Sequence, residues 1–269
     1  MFAWLRRLHA APAIPEAAWQ TTMAHYPFLD VLPAGDQQHL RDLAARFLKH
    51  KEFHGAHGFI ITDEVALAIA AQAVLPILHL PGELDWYDDF VGIVVHPAEA
   101  LARRQSMDED NIVHEYSEII TGEAMAHGPM MLSWPDVLAG GDSADTGYNV
   151  VIHEFAHKID LRDGAADGCP PLPRGFAGTR NPGAARNAWF AVMEPAYEAF
   201  REQSIIAERF NGPPTWLDPY GAESISEFFA VACEGYFVNR LRFAQEQAAL
   251  LPLFDEFFSP QLHRLPAIR

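Results

Sequence analysis

Cysteine is scarce in this chain: its 269 residues include two, Cys169 and Cys233, which lie far apart and form no CxxC pair. Structural zinc sites usually fill all four metal positions with cysteine and histidine, so a zinc-finger type of site is not expected. A disulfide framework is not expected either, because disulfide-rich domains carry more cysteines at regular spacings. We therefore interpret both cysteines as free thiols in a reducing compartment.

Positive charge is also in short supply, since 19 lysines and arginines face 36 aspartates and glutamates, for a formal net charge of −17. A protein of this charge repels the phosphate backbone of nucleic acids unless a basic patch concentrates its few cations. The sequence has no such patch, because the pairs Arg6-Arg7 and Arg103-Arg104 stand alone. We therefore predict no direct nucleic-acid partner.

Long apolar runs are a third absence. The most apolar stretch, VALAIAAQAVLPILHL, is interrupted by Pro76 and His79 and is too short to span a bilayer. The opening residues, MFAWLRRLHAAPAIP, place apolar side chains before the arginines and contain no apolar core of a secretory signal. From these two observations we predict a soluble cytoplasmic protein with no membrane partner.

Hydrophobic periodicity in the first half of the chain predicts helices followed by strands. One helix is expected over residues 36–50 with Asp36 as its N-cap, and a second runs from Thr62 to about residue 74. Strands are expected over residues 90–97 and 125–134, where β-branched and apolar residues are bounded by turn signals.

The second half of the chain is predicted to be mostly helical. The expected helices cover residues 150–159, 185–204, 222–238 and 241–250. The first of these has Asp145 or Thr146 near its start. A glycine- and proline-rich segment, residues 162–187, is too long for a routine connection and is interpreted as a lid or as a mobile surface insertion. No linker separates the halves, so we predict one compact α+β domain over residues 1–269.

The stretch NVVIHEFAHKID, residues 149–160, carries the strongest functional signal. Residues four apart on a helix point to the same side, so His153 and His157 can both turn a ring nitrogen to one metal ion. Zinc accepts two imidazoles at this distance and keeps positions for a further protein ligand and a water molecule. Glu154 lies too far round the helix to be a ligand and is placed to take a proton from that water.

The alternative interpretation of this motif is a pair of satisfied core histidines without a metal. The other positions of the helix are largely apolar, so both histidines are expected to be buried. Buried imidazoles without partners would be costly, whereas one metal ion satisfies both. The sequence therefore favours a hydrolytic zinc site.

A third protein ligand has two competing candidates. Asp163 is the sixth residue after the second histidine, where some zinc sites place a ligand, but those sites usually need glycine at the third residue, which is Asp160 here. Glu227 lies in the apolar run SEFFAV, where a carboxylate is rarely buried without a partner. Glu223 and Glu234 are alternatives on the same predicted helix. We favour Glu227, with Asp163 second.

The motif HEFAHKID, with DPYGAESISEFFAVACEGYF downstream, resembles the Mlc titration factor A family of bacterial zinc peptidases, within the gluzincins. The stretches GPMMLSW, RDLAARFLKHKEF and VLPILHL extend the resemblance over most of the chain. It implies a zincin-like fold, mostly helical, with a small mixed sheet beside the HExxH helix. It also implies His153, His157 and Glu227 as zinc ligands, Glu154 as the catalytic glutamate, and a functional tyrosine at Tyr220.

The reaction predicted for such a site is amide hydrolysis of a peptide substrate. Zinc activates a water molecule, Glu154 acts as general base, and Tyr220 stabilises the oxyanion. The resemblance further implies aminopeptidase activity on small substrates and binding to a transcriptional repressor of sugar uptake. The alternative is a non-catalytic regulatory protein that sequesters the repressor and carries a vestigial metal site, although the intact Glu154 and Tyr220 favour the peptidase.

Several supporting roles are left open by the sequence. Asp160 and Glu234 are placed to orient the histidine ligands, but salt bridges or helix-end roles fit equally well. The strand over residues 125–134 is expected to bind substrate at a sheet edge, or else to lie inside the sheet.

Four further histidines are candidate site residues. His54 and His57 are interpreted as part of a surface loop rather than as a second metal site. His96 and His127 are expected to line the cleft or to serve in packing.

Overall fold

The computed structural model describes residues 13–97, 128–142 and 145–259, and in addition the backbone of two strands, Ala102–Met107 and Val113–Glu118. In chain order the helices are α1 Glu16–His25, α2 Pro27–Asp30, α3 Ala34–His50, α4 Asp63–Ala73, α5 Trp134–Ala139, α6 Val150–Asp160, α7 Pro182–Phe210, α8 Ile225–Val238, α9 Arg240–Glu246 and α10 Leu250–Phe258. The strands are β1 Glu52–Gly55, β2 Gly92–His96, β3 Ala102–Met107, β4 Val113–Glu118 and β5 Met130–Ser133.

The strands form two separate groups. β1, β2 and β5 make a three-stranded sheet with β2 in the middle, and both of its pairings are parallel. β3 and β4 pair with each other as an antiparallel hairpin. The predicted α+β fold, zincin-like and mostly helical, is therefore confirmed. The prediction of one small mixed sheet is wrong in one respect, because the parallel strands and the antiparallel strands form two separate sheets. That the whole chain forms one domain stays a prediction.

The two helices predicted in the first half, α3 and α4, are both present, and one of their two predicted caps is correct. The Thr62 side chain caps α4 by accepting a hydrogen bond from the backbone N–H of Val65, as predicted. The prediction of Asp36 as the cap of α3 is wrong, because that helix begins at Ala34 with Pro33 before it. Asp36 lies in the first turn instead, where its negative charge interacts favourably with the positive end of the helix dipole.

The second half is more helical than the sequence indicated. α7 begins at Pro182, where the side chain of Asn181 caps it, and continues to Phe210. The predicted loop over residues 162–187 therefore ends earlier than expected. The helix predicted over residues 241–250 is shorter, since α9 ends at Glu246, and a further helix that was not predicted, α10, follows it.

Helix α6 runs through the interior, and all of its residues are buried. Its Phe155 ring lies against three aromatic rings from other elements, with centroid distances of 5.6 Å to Phe47, 4.8 Å to Tyr87 and 5.9 Å to Phe90. Aromatic pairs at these distances stabilise the fold in addition to the stabilisation from burying their apolar surface. This packing fixes the rotation of α6, so that its opposite side faces α8. In the described part of the chain, no helix is long and apolar enough to cross a membrane.

Lys51 is a buried cation at the end of α3. Its ammonium group donates hydrogen bonds to the carbonyl oxygens of Tyr87 and Phe90, each at 2.5 Å, and lies 3.9 Å from the centre of the Phe90 ring. Burial lowers its pKa to about 8, although Asp89 and Asp88 oppose the shift. The side chain thus ties α3 to the segment before β2.

Replacing Lys51 with methionine should test this contact, because methionine fills a similar volume and donates no hydrogen bond. We expect the free energy of unfolding at pH 7 to fall by about 1–3 kcal/mol, the usual cost of leaving buried polar groups without partners. Urea unfolding of both proteins measures the difference.

The same pair of proteins should also differ in how stability depends on pH. The folded-state pKa of Lys51 lies below the ordinary value of 10.5, so between these values the unfolded chain binds more protons than the folded one. Stability then rises with pH in this window. The advantage of the wild type over the methionine variant should therefore grow from pH 8 to pH 10.5; an unchanged difference would contradict the lowered pKa.

Candidate metal centre

Asn149 starts the helix that carries the HExxH motif. Its side-chain oxygen accepts a hydrogen bond from the backbone N–H of Ile152 at 2.9 Å, and its side-chain nitrogen donates to Gln72 of α4 at 2.7 Å. The expectation of Asp145 or Thr146 near the helix start is thereby replaced, because Asn149 itself takes the extended N-cap conformation. A buried cap fixes where the first turn begins, and with it the direction of each side chain in the motif.

Three side-chain atoms converge where α6 meets α8. The Nε2 atoms of His153 and His157 are 3.1 Å apart, and the Oε2 atom of Glu227 lies 3.2 Å from the first and 3.1 Å from the second. In the described residues this is the one group of histidine, cysteine and carboxylate side chains close enough to hold a metal ion.

The spacing of these three atoms fits zinc. Ligand atoms about 2.0–2.1 Å from a tetrahedral zinc ion are roughly 3.3 Å from one another, close to the separations found here. Two imidazoles and one carboxylate are also the donor set of catalytic zinc sites that keep one position for water. The arrangement therefore suits a catalytic metal ion rather than a fully closed structural one.

Helix α8 brings Glu227 to the centre. Ser224 caps this helix by accepting a hydrogen bond from the backbone N–H of Glu227 at 3.1 Å. The other candidates for the third ligand lie elsewhere: Asp163 is exposed and accepts a bond from the Ala165 N–H, and Glu223 is also exposed. The structure thus brings together the three residues that we favoured as ligands, and their role as ligands stays a proposal.

The remaining candidate, Glu234, contacts His153 at the ring nitrogen that does not face the metal position. Its Oε1 atom is 2.8 Å from Nδ1 of His153, and its other oxygen accepts the backbone N–H of Asn149. Glu234 is almost fully buried, and burial raises its pKa, against the opposing effect of His153. This geometry fits orientation of His153, and the same contact is an ion pair when His153 is protonated, so the role of Glu234 stays a prediction.

Asp160 is linked to His157 through the side chain of Ser226. Its Oδ2 atom accepts hydrogen bonds from the hydroxyl group of Ser226 at 2.8 Å and from the backbone N–H of Gly168 at 2.9 Å. Burial raises the pKa of Asp160 to about 6, and these two hydrogen bonds oppose the shift. The Ser226 oxygen in turn lies 3.5 Å from Nδ1 of His157. Ser226 is not among the residues predicted from the sequence, although it directly precedes Glu227.

Glu154 is buried beside the two histidines. Its Oε1 atom has no hydrogen-bond partner among the described residues, which leaves it able to accept a proton or a hydrogen bond from a bound water molecule. Burial raises its pKa, and the nearby His153 and His157 act in the opposite direction. A carboxylate with a raised pKa is better matched to proton transfer near neutral pH than an ordinary glutamate.

The three side chains proposed as ligands interact strongly with each other. Burial disfavours the charged form of His153, but its contacts with Glu227 and Glu234 outweigh burial and raise its pKa well above the ordinary value. Burial likewise acts to raise the pKa of Glu227, but the hydrogen bonds to both histidines outweigh it and lower the pKa well below the usual range. The centre therefore attracts positive charge, from a proton or from a metal ion.

Tyr220 lies close to His153. It belongs to the 3₁₀ turn Pro219–Ala222, whose first residues are held by the Asp218 carboxylate accepting the Tyr220 backbone N–H at 2.9 Å. The Tyr220 ring is half-buried, and its centroid is 6.1 Å from that of His153. This position is at the rim of the metal centre.

The predicted substrate-binding strand is only partly within the described residues. β5 covers Met130–Ser133 and lies at one end of the strand order, so within the described part it is an edge strand. Trp134 begins α5 and does not continue the strand. Residues 125–127, including His127, lie outside the described residues.

The other histidines show no second metal group among the described residues. His54 is exposed and lies 3.6 Å from the carboxylate of Glu52, and His57 is also exposed. The His57 ring centroid is 5.7 Å from that of His96, at the end of β2. The interpretation of His54 and His57 as surface residues agrees with this exposure.

Comparison with known proteins gives one family. The model of the family described as "Glucose-regulated metallo-peptidase M90" matches residues 2–259. Protein slr2042 of Synechocystis sp. is 32% identical over 94% of this chain and 86% of its own length. Mlc titration factor A of Serratia proteamaculans is 30% identical over 99% of this chain and 97% of its own, and that of Escherichia fergusonii is 29% identical over 96% and 91%.

Proposed function

Because this chain belongs to the glucose-regulated metallo-peptidase M90 family, we propose that it is a cytoplasmic zinc peptidase that hydrolyses amide bonds. The observation that carries the proposal is the convergence of His153, His157 and Glu227 to atom separations of 3.1–3.2 Å. The buried Glu154, next to His153 on the same helix, has a carboxylate oxygen without a partner among the described residues. The sequence resemblance to bacterial zinc peptidases points the same way.

The division of labour follows from the position of each side chain. His153, His157 and Glu227 would hold the zinc ion, which when bound polarises the scissile carbonyl and lowers the pKa of its water molecule. Glu154 takes the proton of that water at Oε1 and later passes it to the leaving amine. Its buried position keeps the carboxylate away from bulk water, so the proton is delivered within the site.

Tyr220 is proposed to donate a hydrogen bond from its hydroxyl group to the oxygen on which negative charge develops. A donor aimed at this oxygen stabilises the transition state more than the bound substrate. The location of the ring 6.1 Å from that of His153, at the rim of the centre, supports this role.

Replacing Tyr220 with phenylalanine should lower kcat about 100-fold or more, with little change in zinc affinity, because loss of one oxyanion donor has an effect of this order. Steady-state kinetics with a fluorogenic peptide separates kcat from KM. Tyr197→Phe is a matched control, since Tyr197 is also half-buried and its hydroxyl donates to the carbonyl of Ala222 in the same turn. Equal kcat losses in both variants would argue for a purely structural Tyr220.

The substrate is proposed to be a small peptide cut from its amino end. Within the described residues β5 is an edge strand, with which a peptide could pair as an added strand, and this supports peptide binding. Aminopeptidase specificity rests on the sequence resemblance. Fluorogenic amino-acid amides and longer peptides with blocked and free amino ends test it; cleavage of blocked peptides alone would contradict an aminopeptidase.

The direct test of the proposed function combines metal analysis with activity. Purified protein should contain about one zinc ion per chain, lose peptide cleavage when a chelator removes it, and regain cleavage when zinc is returned. Protein that retains full activity after complete removal of metal would exclude this function.

A second candidate function is regulatory binding of a transcriptional repressor. It is favoured by the name Mlc titration factor A, which relatives at about 30% identity carry. Binding of a repressor protein that is unchanged by Glu154→Gln, together with absent peptide cleavage in the wild type, would favour this candidate over the peptidase. The two functions are also compatible in one protein, because a partner surface need not include the metal centre.

A further inference from the structure

The two histidines of the metal centre are held in different ways. Nδ1 of His153 lies 2.8 Å from a carboxylate oxygen of Glu234, a direct contact of the kind that orients a metal ligand. Nδ1 of His157 instead faces the hydroxyl oxygen of Ser226 at 3.5 Å, and this hydroxyl is 2.8 Å from Oδ2 of Asp160. His157 therefore has no direct carboxylate partner at Nδ1 among the described residues; the Ser226 hydroxyl group lies between it and the Asp160 carboxylate.

The direction of these hydrogen bonds follows from the number of protons available. An ionised carboxylate can only accept, so the single hydroxyl proton of Ser226 is donated to Asp160. The Ser226 oxygen is then left to His157 as an acceptor. When Nε2 of His157 binds a metal ion, the neutral imidazole carries its proton at Nδ1 and donates it to the Ser226 oxygen.

We propose that Ser226 and Asp160 are positioning residues of the metal centre, which fix the ring orientation and tautomer of His157 through the sequence imidazole, hydroxyl, carboxylate. The inference rests on the proposed function, because it assigns a role toward the zinc ion that His157 would bind. The proposal adds Ser226 to the metal centre, a residue that belongs neither to the HExxH motif nor to the three proposed ligands.

The surroundings of Asp160 hold this arrangement in place. Asp160 is fully buried and Ser226 is 7% exposed. The Gly168 N–H donates to the same oxygen of Asp160, and the Gly168 carbonyl accepts the indole N–H of Trp189 at 2.7 Å. A side chain at Gly168 would place its Cβ 2.6 Å from the carbonyl oxygen of Ile225, and φ there is +74°. Only glycine lets the backbone come this close to the start of α8.

The test compares the zinc affinity of Ser226→Ala with that of a matched control, Ser204→Ala. Ser204 is also 7% exposed, and its hydroxyl donates to a backbone carbonyl, that of Phe200, within α7. Each variant loses one buried hydroxyl, but only Ser226 faces a metal ligand. Competition with a chromophoric zinc chelator should show affinity about 10-fold lower for Ser226→Ala, the usual lower range for loss of such support, and unchanged for Ser204→Ala.

Two more variants separate positioning from general destabilisation. Ser226→Thr keeps a hydroxyl and should restore most of the zinc affinity, while Asp160→Asn removes the charge at similar volume and should lower it about 10-fold. Thermal unfolding of the metal-free proteins checks that each variant folds. Wild-type zinc affinity in Ser226→Ala, or an equal loss in Ser204→Ala, would overturn the positioning role. Failure of the wild type to bind zinc would instead overturn the proposed function itself.

Discussion

Replacing Glu154 with glutamine should abolish peptide cleavage while zinc stays bound. Glutamine keeps the size of the side chain but cannot take a proton from the water molecule at the metal position. General acid–base groups contribute about 10²- to 10⁴-fold to rate, so kcat should fall by at least 100-fold. The buried Oε1 atom without a partner among the described residues is the structural reason to expect this, because no other role is visible for it.

The measurement needs zinc content and rate on the same preparation. Glu223→Gln is the matched control, since Glu223 is exposed and its loss removes the same charge from the protein. We expect the control to keep wild-type kcat and both variants to hold about one zinc ion per chain. A Glu154→Gln protein that cleaves peptide at the wild-type rate would rule out the proposed general base.

Replacing Glu227 with glutamine should remove zinc from the centre. The carboxylate supplies the third ligand atom and the negative charge that offsets the ion, and neither histidine can replace it. Zinc at 1,000 times its dissociation constant stabilises a folded protein by about 4.1 kcal/mol. For a chain of this size that corresponds to a rise in Tm of roughly 10 °C, which should disappear in the variant.

Asp163→Asn is the informative control for this second experiment. Asp163 was the other candidate for the third ligand on sequence grounds, but the structure places it on the surface, away from both histidines. Its variant should keep the zinc-dependent rise in Tm. The reverse pattern, with zinc lost in Asp163→Asn and kept in Glu227→Gln, would mean that the third ligand is assigned to the wrong residue.

The sequence was informative about this centre because part of its geometry is local. The four-residue spacing of His153 and His157 places both on one side of any helix, and the structure has a helix there. Glu227 could be identified from the sequence for a different reason, because a carboxylate among apolar residues needs a partner. Both features can be recognised without the tertiary structure.

What the sequence did not reveal depends on contacts between distant segments. Ser226 and Asp160 are 66 positions apart, and no periodicity relates a serine on one helix to an aspartate at the end of another. The cap of α6 was placed several residues too early because aspartate, threonine and asparagine are all good caps, and only packing against α4 and α8 selects Asn149.

The C-terminal helix was missed for a local reason. The stretch LLPLFDEFF contains Pro252, which usually argues against a helix. α10 begins at Leu250, so Pro252 falls in its first turn, where the missing N–H has no helical partner to lose. The same rule explains the early start of α7 at Pro182.

Asn149 has a consequence for any attempt to transplant this motif. Its cap bond, its amide bond to Gln72 and its backbone bond to the Glu234 carboxylate join three helices at one fully buried residue. Grafting the HExxH helix alone into another scaffold would leave Gln72 and Glu234 behind. The smallest unit that can be transplanted therefore consists of segments of three helices. A graft should include Gln72 and Glu234 together with the HExxH helix.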